Sequence, residues 1–190
     1  MNTRDPDSKR ERLLAAARAE FSAHGLAGAR IDRIARTAKC SAGLVYTYFG
    51  SKDELADAVL VRTIGDALEE APVTTDDLPG WAGQLFDRNA DHPELFRIAT
   101  WFRLERGAPS HVDGIEESSH AKLAAIEAAQ AAGCLPTHFA ASELLALVIH
   151  LSTLWSAMPG AYEVESGCLS RETQRRVIVD AVAAIIEKSH

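Results

Sequence analysis

The chain has 190 residues, of which 47% are apolar and 25% are charged, so it is long enough to bury a sizeable core. No stretch approaches the ~18 consecutive apolar residues of a membrane span, and the charged N-terminus lacks the apolar run of a secretory signal. Its three cysteines lie far apart and include no CxxC pair. We therefore expect a cytoplasmic protein without disulfides, metal or cofactor.

The net charge of −7 is distributed unevenly along the chain. Residues 1–52 contain ten Lys and Arg but five Asp and Glu, whereas residues 53–190 contain ten and twenty-two. Such asymmetry is typical of a first segment that binds a polyanion, although an ordinary solvated surface would also account for it. Charge alone is therefore only supporting evidence for nucleic-acid binding.

Helical periodicity recurs in the first 70 residues, and strand signals are nearly absent. The first predicted helix begins at Ser8, whose spacing to Glu11 is that of a capping box, and ends at Gly25. A second capping box, from Ser51 to Glu54, begins the fourth helix. The predicted helices of this part cover residues 8–25, 30–38, 41–49 and 52–70.

Residues 71–80 have the composition of a loop, and five further helices are predicted after it. We expect Asp91 to cap the second of these helices and Ser170 to cap the last. The fold class is thus all-α with about nine helices, divided into domains of residues 1–52 and 53–190. The predicted helices of the second part cover residues 80–90, 93–107, 112–132, 138–158 and 171–188.

The third predicted helix has a face that the core does not need. On a helical wheel, Ala42, Val45 and Phe49 share the side that packs on the preceding helices, whereas Leu44 and Thr47 point away. Two short helices joined by three or four residues form a helix-turn-helix, whose second helix enters the major groove of DNA. Aromatic residues between two helices are more often part of the core. The helix-turn-helix prediction therefore rests on helix spacing, connection length and local positive charge together.

Residues of this segment suit contacts with a duplex. Gly43 costs ~1 kcal/mol relative to Ala but allows the backbone to approach DNA closely. Leu44 and the Thr47 methyl group suit a thymine methyl group, while the hydroxyl groups suit phosphates and bases. Charge would come from Arg30, Lys52 and the N-terminal residues Arg4, Lys9 and Arg10. The predicted DNA-binding residues are Arg30, Ser41, Gly43, Leu44, Tyr46, Thr47, Tyr48 and Lys52.

Residues 8–55 resemble the DNA-binding domain of the tetracycline-repressor (TetR) family of transcriptional regulators. The resemblance lies in LLAAARAEFSAHG, in IDRIARTAKCSAGLVYTYFGSKDEL and in the family pattern formed by Tyr46, Tyr48, Phe49, Ser51, Lys52 and Leu55. It implies a C-terminal helical domain for ligand binding and dimerisation. The chain departs from the family at Arg30, commonly Thr, and at Lys39, commonly Gly, where a left-handed backbone would be strained.

Two segments near the C-terminus, residues 141–158 and 175–189, are apolar on more than one face. Both could be buried inside one monomer. Four-helix packing across the two-fold axis of a homodimer, through these last two helices, accounts for them better, and the family resemblance implies it. A dimer on a palindromic operator in double-stranded DNA is also expected because one short recognition helix reads too few base pairs.

Bulky apolar residues with ionisable neighbours suggest a small-molecule site in the C-terminal part, although core packing is the commoner role for each residue singly. Arg103 and Glu105 are further ionisable residues of this region. The candidate pocket residues are Phe86, Arg97, Trp101, Phe102, His120, Glu127, His150 and Trp155.

These observations predict a DNA-binding transcriptional regulator, specifically a repressor that an unknown small-molecule effector releases from its operator. A helix-turn-helix regulator controlled by a protein partner, or lacking an effector, is the alternative. An enzyme that uses His120, Glu127 or His150 is disfavoured, because the sequence shows no nucleophile, metal-ligand or phosphate-loop spacing.

Overall fold

The computed structural model describes residues 6–70, 72–107, 115–157 and 169–187. Within these ranges every regular element is an α-helix, which confirms the all-α prediction. None of these helices combines the length and apolar character that a bilayer span requires. The helices are α1 (Pro6–Gly28), α2 (Ile31–Thr37), α3 (Ala42–Phe49), α4 (Lys52–Glu70), α5 (Leu78–Asp91), α6 (Pro93–Arg106), α7 (Ile115–Ala131), α8 (Ala141–Ser152), α9 (Leu154–Ala157) and α10 (Arg171–Ile186).

The chain forms two compact units. Unit 1 comprises Met1–Asp66 and Arg97–Ile115, and unit 2 comprises Ala67–Phe96 and Glu116–His190. These units are defined by packing, whereas the predicted boundary after residue 52 separates a DNA-binding part from a regulatory part. The packing does not test that division of function, so the boundary stays a prediction.

The core of unit 1 is formed by α1 to α4 together with residues of α6. The apolar side chains at helical spacing in α1 are its centre, since Ala17 and Phe21 are completely buried. From α6, Ile98 and Phe102 enter the same core. Helix α6, which comes much later in the chain, therefore contributes to the same core as the helix-turn-helix segment.

Helix α1 begins earlier than predicted and is interrupted where predicted. It begins at Pro6, so Ser8 is an exposed residue inside the helix and the predicted N-cap is wrong. Proline suits a first helical turn, where its missing N–H has no intrahelical partner to lose. Gly25 has φ 70° and ψ 177°, which interrupts the helix before a final turn that ends at Gly28.

The start of α10 and the end of α5 show which capping predictions hold. Ser170 accepts a hydrogen bond from Thr173 N at 3.2 Å and caps α10 as predicted. Asp91 instead closes α5, so its predicted capping of α6 is wrong. Its carboxylate accepts Arg171 Nη1 at 2.6 Å, and this hydrogen bond lowers the pKa of Asp91.

The core of unit 2 is formed by α5, α7, α8 and α10. Its largest fully buried side chain is Trp81 of α5, and Ile126, Leu144 and Ile178 are fully buried in the same core. Arg175 Nε also donates to Asp87 at 2.7 Å, which ties α10 to α5 at their polar edge.

The single helix predicted over residues 138–158 is wrong, because the structure divides it. Helix α8 ends at Ser152 and α9 begins at Leu154. The hydroxyl of Ser152 donates to Ile149 O at 2.7 Å, and that of Thr153 donates to His150 O at 2.9 Å. Hydroxyls that bond carbonyls of the preceding turn compete with the helical hydrogen bonds, and two such hydroxyls follow one another at this interruption.

Candidate nucleic-acid interface

The turn between α2 and α3 is held by backbone hydrogen bonds around Lys39. Its N–H donates to Arg36 O at 3.1 Å, and Cys40 N–H donates to Ala35 O at 2.9 Å. This pair of bonds is a Schellman motif, which requires a left-handed residue at the position of Lys39. Lys39 has φ 56°, as expected if it replaces a turn glycine.

Helix α3 begins and ends at the residues that the sequence indicated. Ser41 accepts a hydrogen bond from Leu44 N at 3.3 Å as the N-cap, and Gly50 ends the helix with φ 71°. Half of the second predicted capping box is present, since Ser51 Oγ accepts Glu54 N at 3.0 Å, whereas the Ser51 N–H donates to a backbone carbonyl and not to the Glu54 carboxylate. The position of α3 is thus set by local hydrogen bonds at both ends.

The two sides of α3 differ as the helical wheel predicts. Val45 and Phe49 are buried in the core of unit 1, whereas Gly43 and Thr47 are exposed and Tyr46 is 50% exposed. A Cβ atom at Gly43 would meet no atom within 4 Å, so the packing of the protein does not require glycine there. This outer side of α3 is open for a partner that approaches the backbone closely.

The remaining α3 candidates are less exposed. Leu44 is half-buried, and Tyr48 is half-buried with its ring packed against the core, 6.2 Å from the ring of Phe49. The Thr47 hydroxyl donates to Gly43 O at 3.0 Å, which leaves its oxygen able to accept a hydrogen bond. The exposed part of the predicted set is therefore centred on Gly43, Tyr46 and Thr47.

Two charged candidates of unit 1 come before and after α3 in the chain. Arg30 is the N-cap residue of α2 and is exposed, with its guanidinium 3.6 Å from Asp32. Lys52 begins α4, and its Nζ donates to Ala27 O at 3.1 Å. An ammonium group has three N–H donors, so this bond still allows a phosphate contact. Arg4 lies outside the described residues.

Glu20 fixes the connection between α1 and α2. It accepts Arg33 Nε at 2.6 Å and the backbone N–H of Arg30 at 2.9 Å. Burial raises the pKa of Glu20, but the hydrogen bonds from Arg33 and Arg30 outweigh that effect, so the pKa lies below its ordinary value. The carboxylate thereby holds the backbone that carries the Arg30 side chain.

The predicted pocket residues are distributed over both units. Arg97, Trp101 and Phe102 belong to unit 1, and the remaining five belong to unit 2. Phe102 is buried in the core of unit 1, whereas Phe86 is buried in the core of unit 2, against which Trp155 also packs. The exposed members of the set are Arg97, His120, Glu127 and His150.

The predicted ligand pocket in the C-terminal part stays a prediction, because neither the hydrogen bonds of its candidates nor the cavities in unit 1 test it. Trp155 Nε1 donates to Gln174 O at 3.3 Å, and His150 Nδ1 lies 2.8 Å from Ala146 O. Two cavities of about 180 and 380 Å³ occur within unit 1, the smaller between α1 and α4 and the larger beside the turn at Lys39. Neither is lined by any of the eight candidates.

Two electrostatic features were not indicated by any motif. The carboxylate of Glu105, considered from the sequence only as a residue near the pocket, accepts backbone N–H groups of Leu26 and Ala27. In unit 2, burial and the positive charge of Arg88 lower the pKa of Lys122. Both features depend on residues far apart in the chain, so no local pattern marks them.

The geometry of the outer side of α3 suits binding to a duplex. Within the described ranges, no group of three or more His, Cys, Asp or Glu side chains could hold a metal ion. The outer side of α3 instead combines an open glycine, a hydroxyl group and an aromatic ring, with arginine and lysine beside it. These are groups that contact base edges and phosphates of a duplex.

Comparisons with known proteins agree with this geometry. Residues 13–59 match the family model described as bacterial regulatory proteins, tetR family. Residues 77–183 match a second model, described as the tetracyclin repressor-like C-terminal domain. The two matches lie in the same order as the predicted DNA-binding and regulatory parts.

Similar full-length proteins are also known. The chain is 38% identical over 160 residues to the HTH-type transcriptional repressor SCO4008 of Streptomyces coelicolor. The aligned region covers 83% of each protein. The crystal structure of the Streptomyces coelicolor protein SCO4942 is similar with a TM-score of 0.84 and 35% identity, over 95% of this chain and 99% of that chain. FadR of Bacillus subtilis, crystallised with stearoyl-CoA, shares the fold with a TM-score of 0.70 at 15% identity, over 95% and 100%.

Proposed function

Because this chain belongs to the TetR family of bacterial regulatory proteins, we propose that it is a repressor that binds a palindromic operator as a homodimer and is released by a small molecule. The family resemblance read from residues 8–55 is confirmed. The chain is a DNA-binding transcriptional regulator, and its family is one of regulators rather than enzymes.

The observation that best supports contact with DNA is the open outer side of α3. Gly43 has free space where a side chain would begin, and Tyr46 and Thr47 are exposed beside it. Helix α3 would lie in the major groove with its N-terminal end nearest the bases. Arg30 and Lys52 would contact phosphates on either side, and Ser41 would place the first N–H groups of α3 near the duplex.

A homodimer is part of the proposal because one short helix reads few base pairs. Exposed apolar residues remain on the helices proposed for the interface, with Ile149 of α8 36% exposed and Val177 of α10 41% exposed. Covering these faces with a second copy would remove apolar surface from water. A two-fold dimer would then present two α3 helices to half-sites about 34–36 Å apart.

Release by an effector requires two conformations with different affinity for it. The effector would favour the one in which α4 holds the α3 helices too far apart for the operator. It can shift this equilibrium only by the ratio of its affinities for the two conformations. The match of residues 77–183 to a tetracyclin repressor-like domain supports a small molecule over a protein partner.

Selection of bound duplexes from a random DNA library tests this function. The expected result is enrichment of a palindrome with half-site centres about 10 base pairs apart. Failure to enrich any duplex would refute the DNA-binding part. Gel shifts of the selected duplex with candidate compounds then test release, and compounds that bind without changing the shift would contradict the effector.

A further inference from the structure

The end of α6 lies unusually close to the connection between α1 and α2. A Cβ atom placed on Gly25 would be 2.6 Å from Glu105 Oε1 and 3.1 Å from the Trp101 ring. The positive φ of Gly25 adds a second reason for glycine at this position. All three residues belong to unit 1, so this contact is part of the packing around the helix-turn-helix.

Glu105 satisfies backbone groups that the break at Gly25 leaves without helical partners. Gly25 O accepts the N–H of Ala29 at 3.2 Å and so begins a new helical turn. The first N–H groups of such a turn need an acceptor from outside it. The Glu105 carboxylate accepts both, from Leu26 at 3.0 Å and from Ala27 at 2.7 Å.

A proposed DNA contact binds the carbonyl of the same residue, Ala27. Ala27 O accepts Lys52 Nζ at 3.1 Å. Next to Lys52 on α4, the carboxylates of Asp53 and Asp57 both accept hydrogen bonds from Arg106, the last residue of α6. The last two residues of α6 thus bind both the α1–α2 connection and the first turns of α4.

We propose that Glu105 is a positioning residue for DNA binding. By fixing the N–H groups of Leu26 and Ala27, it fixes the carbonyl to which Lys52 is bound and the connection that leads to Arg30. It acts through these two residues and does not itself contact DNA. The inference rests on the proposed phosphate contacts of Arg30 and Lys52.

The net charge of the protein and the proposed positioning role predict opposite changes in DNA affinity for one substitution. Glu105→Gln removes a negative charge, which by long-range electrostatics alone would strengthen binding to DNA. It also replaces one acceptor oxygen with an NH₂ group that would face a backbone N–H. One of the two hydrogen bonds that hold the backbone at Leu26 and Ala27 would then be lost. Glu117→Gln, at an exposed residue of α7, is the matched control with the same change in charge.

The test measures affinity for the duplex selected from the random library, over a range of salt concentrations. We expect Glu105→Gln to bind about tenfold more weakly, as for loss of a charged hydrogen bond, while Glu117→Gln binds equally or slightly more tightly. The slope of log affinity against log salt concentration should fall by about 1 for Glu105→Gln only, because one phosphate contact is lost. Glu105→Gln binding as tightly as its control would overturn the inference.

Amide hydrogen exchange keeps the inference testable if the variant folds poorly. In the unmodified protein, the Leu26 and Ala27 amides should exchange slowly, and in Glu105→Gln they should exchange faster while the core amides remain protected. Rapid exchange at both positions in the unmodified protein would also overturn the inference. Failure of the proposed function looks different, since the unmodified protein would then select no duplex.

Discussion

Gly43 and Lys39 each occupy a position where backbone geometry alone would favour a different residue. Gly43 lies in a helix with free space around it, where alanine would be more stable. Lys39 has φ 56°, where glycine would be less strained. Both lie in the helix-turn-helix, and the proposed contact with DNA accounts for each residue better than the fold does. Local sacrifices of stability of this kind are expected at functional sites.

Gly43→Ala separates the role of this residue in folding from its role in binding. Because a Cβ atom would meet nothing within 4 Å, the variant should be as stable as the original protein or more stable, by up to ~1 kcal/mol. The same methyl group would obstruct close approach of α3 to the duplex. We expect about tenfold weaker operator binding, equivalent to ~1.4 kcal/mol. Thermal unfolding and gel shifts check the two effects, and undiminished binding would contradict the close approach.

Lys39→Gly should remove the strain of the left-handed residue and one positive charge. We expect a gain in stability of about 1 kcal/mol, seen as a higher melting temperature, together with weaker DNA binding. Thermal unfolding of the purified variant measures the first effect and gel shifts the second. An unchanged melting temperature would show that the left-handed conformation of Lys39 carries no strain.

At the scale of elements, short helices are positioned by carboxylates that bind backbone N–H groups. Glu20 holds the first residue before α2, and Glu105 holds the turn after Gly25. Such charged hydrogen bonds are stronger than neutral ones. The start of α2 and the single turn after Gly25 are therefore held in place by these two side chains.

Glu20→Gln is expected to lower the free energy of unfolding by ~1 kcal/mol at neutral pH, because Arg33 and the Arg30 N–H lose a charged acceptor. The pKa of Glu20 lies below its ordinary value of 4.5, so its contribution is present above pH 4.5 and is lost as pH falls through the lower value in the folded protein. The difference in melting temperature between the two proteins should therefore shrink below pH 4.5. A difference that grows on acidification would contradict this assignment.

At the scale of the whole molecule, the sequence predicted features that depend on neighbouring residues. Caps at Ser41 and Ser170, the break at Gly25 and the exposed side of α3 follow from local hydrogen bonding and helical periodicity. The sequence did not reveal the role of Glu105, whose hydrogen bond to Leu26 joins residues 79 positions apart. Asp91 was wrongly predicted to cap α6 for the same reason, since Arg171, to which its carboxylate is bound, lies 80 positions away.

The pocket was the least predictable part of the site. Bulky apolar residues indicate burial, but they do not distinguish a packed core from a cavity. Phe86 and Phe102 are buried in the cores of different units, which no periodicity could reveal. The interruption at Thr153 was likewise hidden, because the sequence does not show which carbonyl a hydroxyl group will bond.

The proposed dimer predicts that charges on α8 and α10 will separate the subunits. Val177→Glu and Ile149→Glu each place a carboxylate on an exposed apolar face of the proposed interface. We expect the dimer dissociation constant to rise at least about tenfold in each variant, measured by analytical ultracentrifugation. Leu104→Glu is the matched control, because Leu104 is 65% exposed on α6. Dimers that persist in both interface variants would place the interface elsewhere.

Repeating the random-library selection with Thr47→Ala and Arg30→Ala tests most directly whether α3 reads the operator. We predict that Thr47→Ala keeps a palindrome but loses base preference at one or two positions of each half-site. Arg30→Ala should keep every preference while weakening binding to all sequences and lowering the salt slope by about 1. Unchanged base preferences in the Thr47→Ala selection would contradict contact between Thr47 and base edges.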